Sequence, residues 1–264
     1  GPQARSAAEM IENWFTLKRL RADRLEPRYL NAFLEALGFH EVTSSILLRG
    51  SKSHWVNVRT RPIEDRALCP VPQYGSLARG VYRFLLLWDR PIEDAIYSEV
   101  GETAGAAPVI VAHFGRLTEK RRRDLISPTR GQPRSFLVLD DTLVLFLCGE
   151  KQMRLPSFFA CTLPFTFLNP YSTTAGLVPP EVFFGRSHER NKIMDPLGSC
   201  FIYGGRQLGK TALLRDVERR FHNPREGRIA IYIDLKTKGL GLDRHINDIW
   251  KLIEEEFRRH RIIP

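Results

Sequence analysis

Residues Gly204-Gly205-Arg206-Gln207-Leu208-Gly209-Lys210-Thr211 satisfy G-x-x-x-x-G-K-[ST] at every fixed position, the Walker A pattern. No other stretch of the chain restricts its fold as tightly. A loop that wraps a polyphosphate must present its own backbone N–H groups, and a side chain at Gly204 or Gly209 would obstruct that approach. Lys210 is then placed to reach the β and γ phosphates as a point charge. Thr211 offers a hydroxyl to Mg²⁺, and the positive end of the helix that opens around Lys210 and Ala212 faces the anion. The motif therefore predicts ATP with Mg²⁺ as ligands.

The motif demands a strand before it and a helix after it. Ser199 to Tyr203 reads as a short apolar strand, and Ala212, Leu213, Val217 and Phe221 recur at helical spacing. The competing reading is an ordinary glycine-rich strand-to-helix turn that happens to carry Lys-Thr.

Upstream, residues from Ala7 to Gly38 read as two helices. Trp14, Leu17 and Leu20 share one face of the first; Leu30, Phe33, Leu34 and Leu37 share a face of the second, with Gly38 as its cap. "SSILLRG" and "HWVNVRT" alternate like the strands of a hairpin turning at Gly-Ser-Lys-Ser. After a loop come the strand "VYRFLLLW", the helix "IEDAIYSEVG", the strand "PVIVAHF", the helix "LTEKRRRDL", the strand "SFLVLD" and apolar "TLVLFLC". Alternating β and α segments predict parallel strand pairs with helices packed on the sheet, hence an α/β or α+β domain over residues 7–168. "FLNPYSTTAGLVPPE" is dense in Pro, Gly, Ser and Thr and marks a linker over 169–181. From residue 182 a second domain is expected, with the Walker A strand, a second strand in "RIAIYIDLK" and a helix in "HINDIWKLIEEEFRRH".

At 264 residues and 43% hydrophobic, the chain can bury a real core in each part. No apolar run approaches the roughly 18 residues of a membrane span, and no signal-peptide pattern opens the sequence, so a cytoplasmic location is expected. Gly1-Pro2 reads as a protease-cleavage scar. Cys69, Cys148, Cys161 and Cys200 lack C-x-x-C spacing and read as reduced core residues; a zinc site would need paired ligands that the spacing does not offer. His113, beside an apolar strand, reads as a core residue. The net charge of +10 suits a phosphate-rich partner without identifying one. Its densest run, Lys120-Arg121-Arg122-Arg123, lies in a helix starting near Thr118. It reads first as a solvated helix face and second as a nucleic-acid contact.

The stretch from Val182 onward resembles the opening of the ATPase domain in the STAND and AAA+ branches of the P-loop NTPases, through "FFGR" at Phe183 to Arg186, "GGRQLGKT" and "IYIDL". The resemblance implies that Phe184, Gly185 and Arg186 line the base or ribose. It makes the strand ending at Asp234 the second strand, so that Asp234 is not the Walker B acid. It also implies a chain cut inside its nucleotide-binding domain, with Walker B and sensor residues beyond Pro264. More faintly, "ALGF", "PVIVAHFGRLTEKRRRDL" and "SFLVLDDTLVLFL" are similar to the Mrr-type restriction endonuclease-like fold. That fold needs a D/E-x-K, which "YRFLLLWDRP" lacks; Asp140, Asp141, Glu150 and Lys151 are substitutes at the wrong spacing. The resemblance therefore implies a degenerate, binding-only version.

Three functions follow as expectations. The first is an ATP-binding switch or motor module of a larger multidomain ATPase with an N-terminal partner-sensing domain. The second is a nucleic-acid-binding module regulated by nucleotide, and the third a scaffold with an empty loop. A protein partner or self-association fits the first and third.

Overall fold

The computed structural model describes residues 2–20, 24–89, 92, 107–125, 135–150, 153–166, 178–195, 198–206, 208–235 and 247–264. The chain divides into two compact units. Gly1–Tyr171 with Pro179–Val182 forms the first; Ser172–Val178 with Phe183–Pro264 forms the second. The described residues carry a mixed α/β fold with one five-stranded sheet and eight α-helices.

The first unit opens with α1 (Pro2–Leu20) and α2 (Pro27–Leu37). Pro27 suits the start of α2, where its missing N–H is an orphan anyway. Gly38 ends α2 in the left-handed region at φ 116°, and the Gly38 and Phe39 N–H groups both donate to the Leu34 carbonyl. The hairpin follows as β1 (Thr43–Arg49) and β2 (Ser53–Arg59), closed by the Gly50 N–H on the Ser53 carbonyl at 2.8 Å. Then come β3 (Val81–Leu87), β4 (Val109–His113), α3 (Glu119–Asp124) and β5 (Phe136–Asp140). The sheet order is β1-β2-β3-β4-β5, antiparallel through β3 and parallel from β3 to β5. The helix expected at "IEDAIYSEVG" lies outside the described residues apart from Ile92.

Side chains alternate across a strand, and β2, β3, β4 and β5 each feed two cores. Val56, Val58, Tyr82, Phe84, Leu86, Ile110, Ala112, Leu137 and Leu139 face one core. Its other wall is α1, α2, α4 (Asp141–Gly149) and α5 (Arg154–Thr162). Trp55, Leu85, Leu87, Val109, Val111, Phe136 and Val138 face the other, with Ile92, Leu117 and Leu125. Burial on both faces explains why β3, β4 and β5 read as nearly continuous apolar runs.

Tyr74 and Tyr82 are fully buried; the Tyr74 hydroxyl donates to the Val109 carbonyl at 2.8 Å and the Tyr82 hydroxyl to the Tyr74 carbonyl at 2.7 Å. Burial pushes both phenols above their ordinary pKa of 10.0 and the Cys69 thiol up to about 12 from 9.0. Each group is neutral when protonated and holds its proton more tightly folded than unfolded. Their contribution to stability is therefore fully present below the unfolded values of 9.0 and 10.0 and is lost as pH climbs above them toward the raised folded values. Urea unfolding followed from pH 8 to 11 should show stability falling over that range, with a smaller fall in Tyr82→Phe; an equal fall in the variant contradicts the assignment.

The second unit holds α6 (Ser187–Met194), α7 (Lys210–Phe221) and α8 (Asn247–Arg259). The two strands expected here, at Ser199–Tyr203 and in "RIAIYIDLK", do not form. Neither segment joins a ladder among the described residues, where an isolated Asn223–Arg228 bridge is the only pairing, and Phe201 and Tyr203 are 97% and 93% exposed. An apolar segment becomes a strand only when a neighbour takes its N–H and C=O groups, and no described segment does so. Cys200 is consequently exposed rather than in a core, while Cys69 is buried, Cys148 and Cys161 are half-buried, and all four thiols are free.

Candidate functional site

The glycine loop closes directly onto α7. Gly209 precedes the helix at φ 75°, and its carbonyl accepts the Leu213 N–H at 2.9 Å. A Cβ at Gly209 would meet nothing within 4 Å. Glycine is required there by the left-handed torsion rather than by crowding. Gly204 is likewise in the positive region, at φ 149°.

The Lys210 ammonium folds back over the loop, donating to the Gly204 carbonyl at 2.8 Å and the Gly205 carbonyl at 2.6 Å. Ala212 and Leu213 are buried, which turns that side of α7 inward and leaves Thr211 exposed on its first turn. Leu208 is exposed, Arg206 is exposed on a turn, and Gln207 lies outside the described residues.

The "FFGR" segment reaches the same loop. The Arg186 guanidinium donates to the Leu208 carbonyl at 2.6 Å, with Gly185 at φ 77° and Arg186 at φ 53°. Phe184 is 70% exposed. What holds Arg186 there is legible in the packing of α6 on α7. Arg190, one turn into α6, pairs at 3.4 Å with Asp216, whose carboxylate is buried in α7 and also meets Arg220 at 3.0 Å and Arg219 at 3.6 Å. Asp216 was not marked by any motif; an acid between Leu213 and Val217 on the apolar face of α7 was the signal. Opposite, the 229–232 segment is stapled to α7 by the Tyr232 N–H on Glu218 and by Arg215 stacked 3.8 Å over the Tyr232 ring. Asp234 is half-buried at the end of that segment.

The donor set fits a phosphate ligand. It combines a lysine ammonium on the loop, positive-φ glycines at both ends of it, and the N-terminus of a 12-residue helix with a hydroxyl in its first turn. Among the described residues no cluster of three or more His, Cys, Asp or Glu is arranged to hold a metal ion.

The basic run in the first unit divides. Thr118 caps α3 by accepting the Arg121 N–H, and Lys120, Arg121 and Arg123 are exposed, with Arg123 paired to Glu119 one turn away. Arg122 departs from the reading of the run as a solvated face. Its guanidinium turns inward to Asp140 at 2.6 Å, with side-chain exposures of 12% and 0%. Asp140 also accepts the Leu117 N–H at 2.9 Å and the Leu143 N–H at 3.0 Å, so it caps α4 and ties β5 to the segment before α3. Of the other nuclease substitutes, Asp141 is engaged in the same way. Asp141 accepts from the Trp14 indole at 2.9 Å and pairs with Lys18, and Glu150 ends α4; Lys151 lies outside the described residues. His113 ends β4, half-buried.

Comparison of the chain with protein-family models, curated proteins and solved structures gave no significant match.

Proposed function

We propose that this chain is the ATP-binding module of a larger multidomain switch or motor ATPase, cytoplasmic, with its first unit serving as a partner-sensing domain. The observation that carries the reading is the complete Walker A octapeptide opening α7, with Lys210 folded over its own loop. In this reading Gly204 to Gly209 wrap the phosphates, Lys210 leaves the two glycine carbonyls for the β and γ phosphates, and Thr211 meets Mg²⁺. The bound nucleotide supplies a transferable phosphoryl group. Arg186 orients the loop by holding Leu208, and Phe184 offers an exposed ring to the base. Among the described residues no helix is long and apolar enough to cross a membrane.

Lys210→Ala deletes a charge-assisted contact worth about 1.5–3 kcal/mol, which weakens Mg·ATP binding roughly 10- to 150-fold. Isothermal titration of the full chain checks this. Equal affinity in the variant overturns the reading. A nucleic-acid role for Lys120, Arg121 and Arg123 has less support, because Arg122 serves the interior of the domain instead of its surface.

A further inference from the structure

A backbone carbonyl shares a rigid plane with the N–H of the next residue, and in a trans peptide the two point in opposite directions. Whatever fixes the Leu208 carbonyl therefore also aims the N–H of Gly209, the residue that caps α7. The Leu208 carbonyl is fixed, because it accepts the Arg186 guanidinium at 2.6 Å. Arg186 in turn sits in the left-handed region at φ 53°, a torsion that a residue with a side chain keeps only where its surroundings impose it. The second contact that imposes it lies one helical turn on. The Arg190 N–H donates to the Arg186 carbonyl at 3.0 Å, opening α6, and the Arg190 guanidinium reaches across to Asp216 on α7 at 3.4 Å. The Asp216 side chain is only 2% exposed and also pairs with Arg220 and Arg219 of its own helix. All of these groups belong to the second unit.

We infer that Arg190 and Asp216 are positioning residues for the phosphate cradle, acting through Arg186 and the Leu208 peptide to aim the Gly209 N–H at the ligand. The contacts form a closed ring. It runs from Asp216 in α7 to Arg190 in α6, along one turn to Arg186, across to Leu208, and through one peptide plane to Gly209 at the head of α7. Cutting the pair between the helices leaves α6 free to shift on α7 and the Leu208 peptide free to rotate. An amide that must find its direction when the phosphate arrives then costs affinity that a preset amide does not. That the ligand is a phosphate rests on the nucleotide-binding reading; the aiming of Gly209 does not.

Two measurements on the full chain test the ring: the affinity for Mg·ATP, and the amide resonance of Gly209 without nucleotide. Arg190→Met keeps the apolar length of the side chain and deletes its charge, while Asp216 retains Arg219 and Arg220, so no bare buried carboxylate remains. It should weaken Mg·ATP binding by about fivefold or more, the lower end of measured coupling factors. Adding Arg190→Met to Arg186→Met should weaken binding no further than Arg186→Met alone, because Arg190 acts only through Arg186. Arg220→Met removes a partner of the same carboxylate from within α7 and should leave the affinity unchanged. The Gly209 resonance should move in the same direction in Arg190→Met and Arg186→Met. Equal affinity in Arg190→Met, a double variant weaker than Arg186→Met, an Arg220→Met variant as weak as Arg190→Met, or a Gly209 resonance unmoved in Arg190→Met overturns the inference. No binding by the unaltered chain, with the resonance moving as expected, overturns the nucleotide reading and leaves the aiming of Gly209 standing.

Discussion

Arg122→Ala is expected to destabilise the first unit by about 3–5 kcal/mol, because it strips the partner from a carboxylate that is fully buried. Asp140 keeps the Leu117 and Leu143 N–H groups, so the loss should fall toward the lower end of that range. Neighbouring substitutions calibrate the effect. Arg123→Ala removes only an exposed pair with Glu119, worth about 0.3–0.5 kcal/mol, and Lys120→Ala should fall within about 0.5 kcal/mol of the unaltered chain. Urea unfolding with a common slope separates these values. Equal midpoints for the Arg122 and Arg123 variants would show that Asp140 is held by its backbone donors alone.

Trp14→Ala should cost a comparable about 3–5 kcal/mol, the usual range for deleting a buried aromatic side chain. Trp14 is 1% exposed, with its ring 5.2 Å from Phe33 and 4.8 Å from Phe114, and its indole N–H donates to Asp141. It thus joins α1 to α2, to the segment after β4 and to the start of α4. Trp14→Phe separates the two contributions. It keeps a ring and loses the hydrogen bond to a charged group, which points to a loss of about 1.5–3 kcal/mol. A phenylalanine variant as unstable as the alanine variant would assign the whole effect to the Asp141 bond.

These two side chains also show what a linear sequence reveals and what it hides. The face carrying Trp14 and Leu17 was legible from helical spacing, as were the hairpin, Gly38 and the apolar strands β3 to β5, because each is decided by residues within one or two turns of one another. The direction of Arg122 was not. Four adjacent basic residues differ only in which one meets Asp140, eighteen positions away, and spacing within the run carries no trace of that. The apolar run at 142–148 was ambiguous for the same reason, although Asp140, as an N-cap accepting from Leu143, was the local signal that it opens a helix. α5 carries Pro156 at its third position, where the missing N–H is an orphan in any case.

The glycine loop was the most legible element, since its requirements are torsions and residue types at fixed offsets. The strand expected before it was the least. Whether Ser199–Tyr203 pairs depends on a partner strand, and pairing is a property of two segments, not one. Arg186 falls between these cases: its segment resembled a known box, but the hydrogen bond to Leu208 depends on α6 packing against α7 through Arg190 and Asp216.

The central claim is that the Gly204–Thr211 loop holds the phosphates of a nucleotide, and amide exchange with and without Mg·ATP reads it at the atoms concerned. A phosphate ligand takes hydrogen bonds from the loop and first-turn N–H groups and moves Lys210 off the Gly204 and Gly205 carbonyls. The account predicts slower exchange at residues 204–206 and 208–212 when Mg·ATP is added, with the same protection in Lys210→Ala requiring roughly 10- to 150-fold more Mg·ATP. Unchanged exchange in that loop at saturating Mg·ATP, or protection in Lys210→Ala reached at the same Mg·ATP concentration as in the unaltered chain, contradicts it.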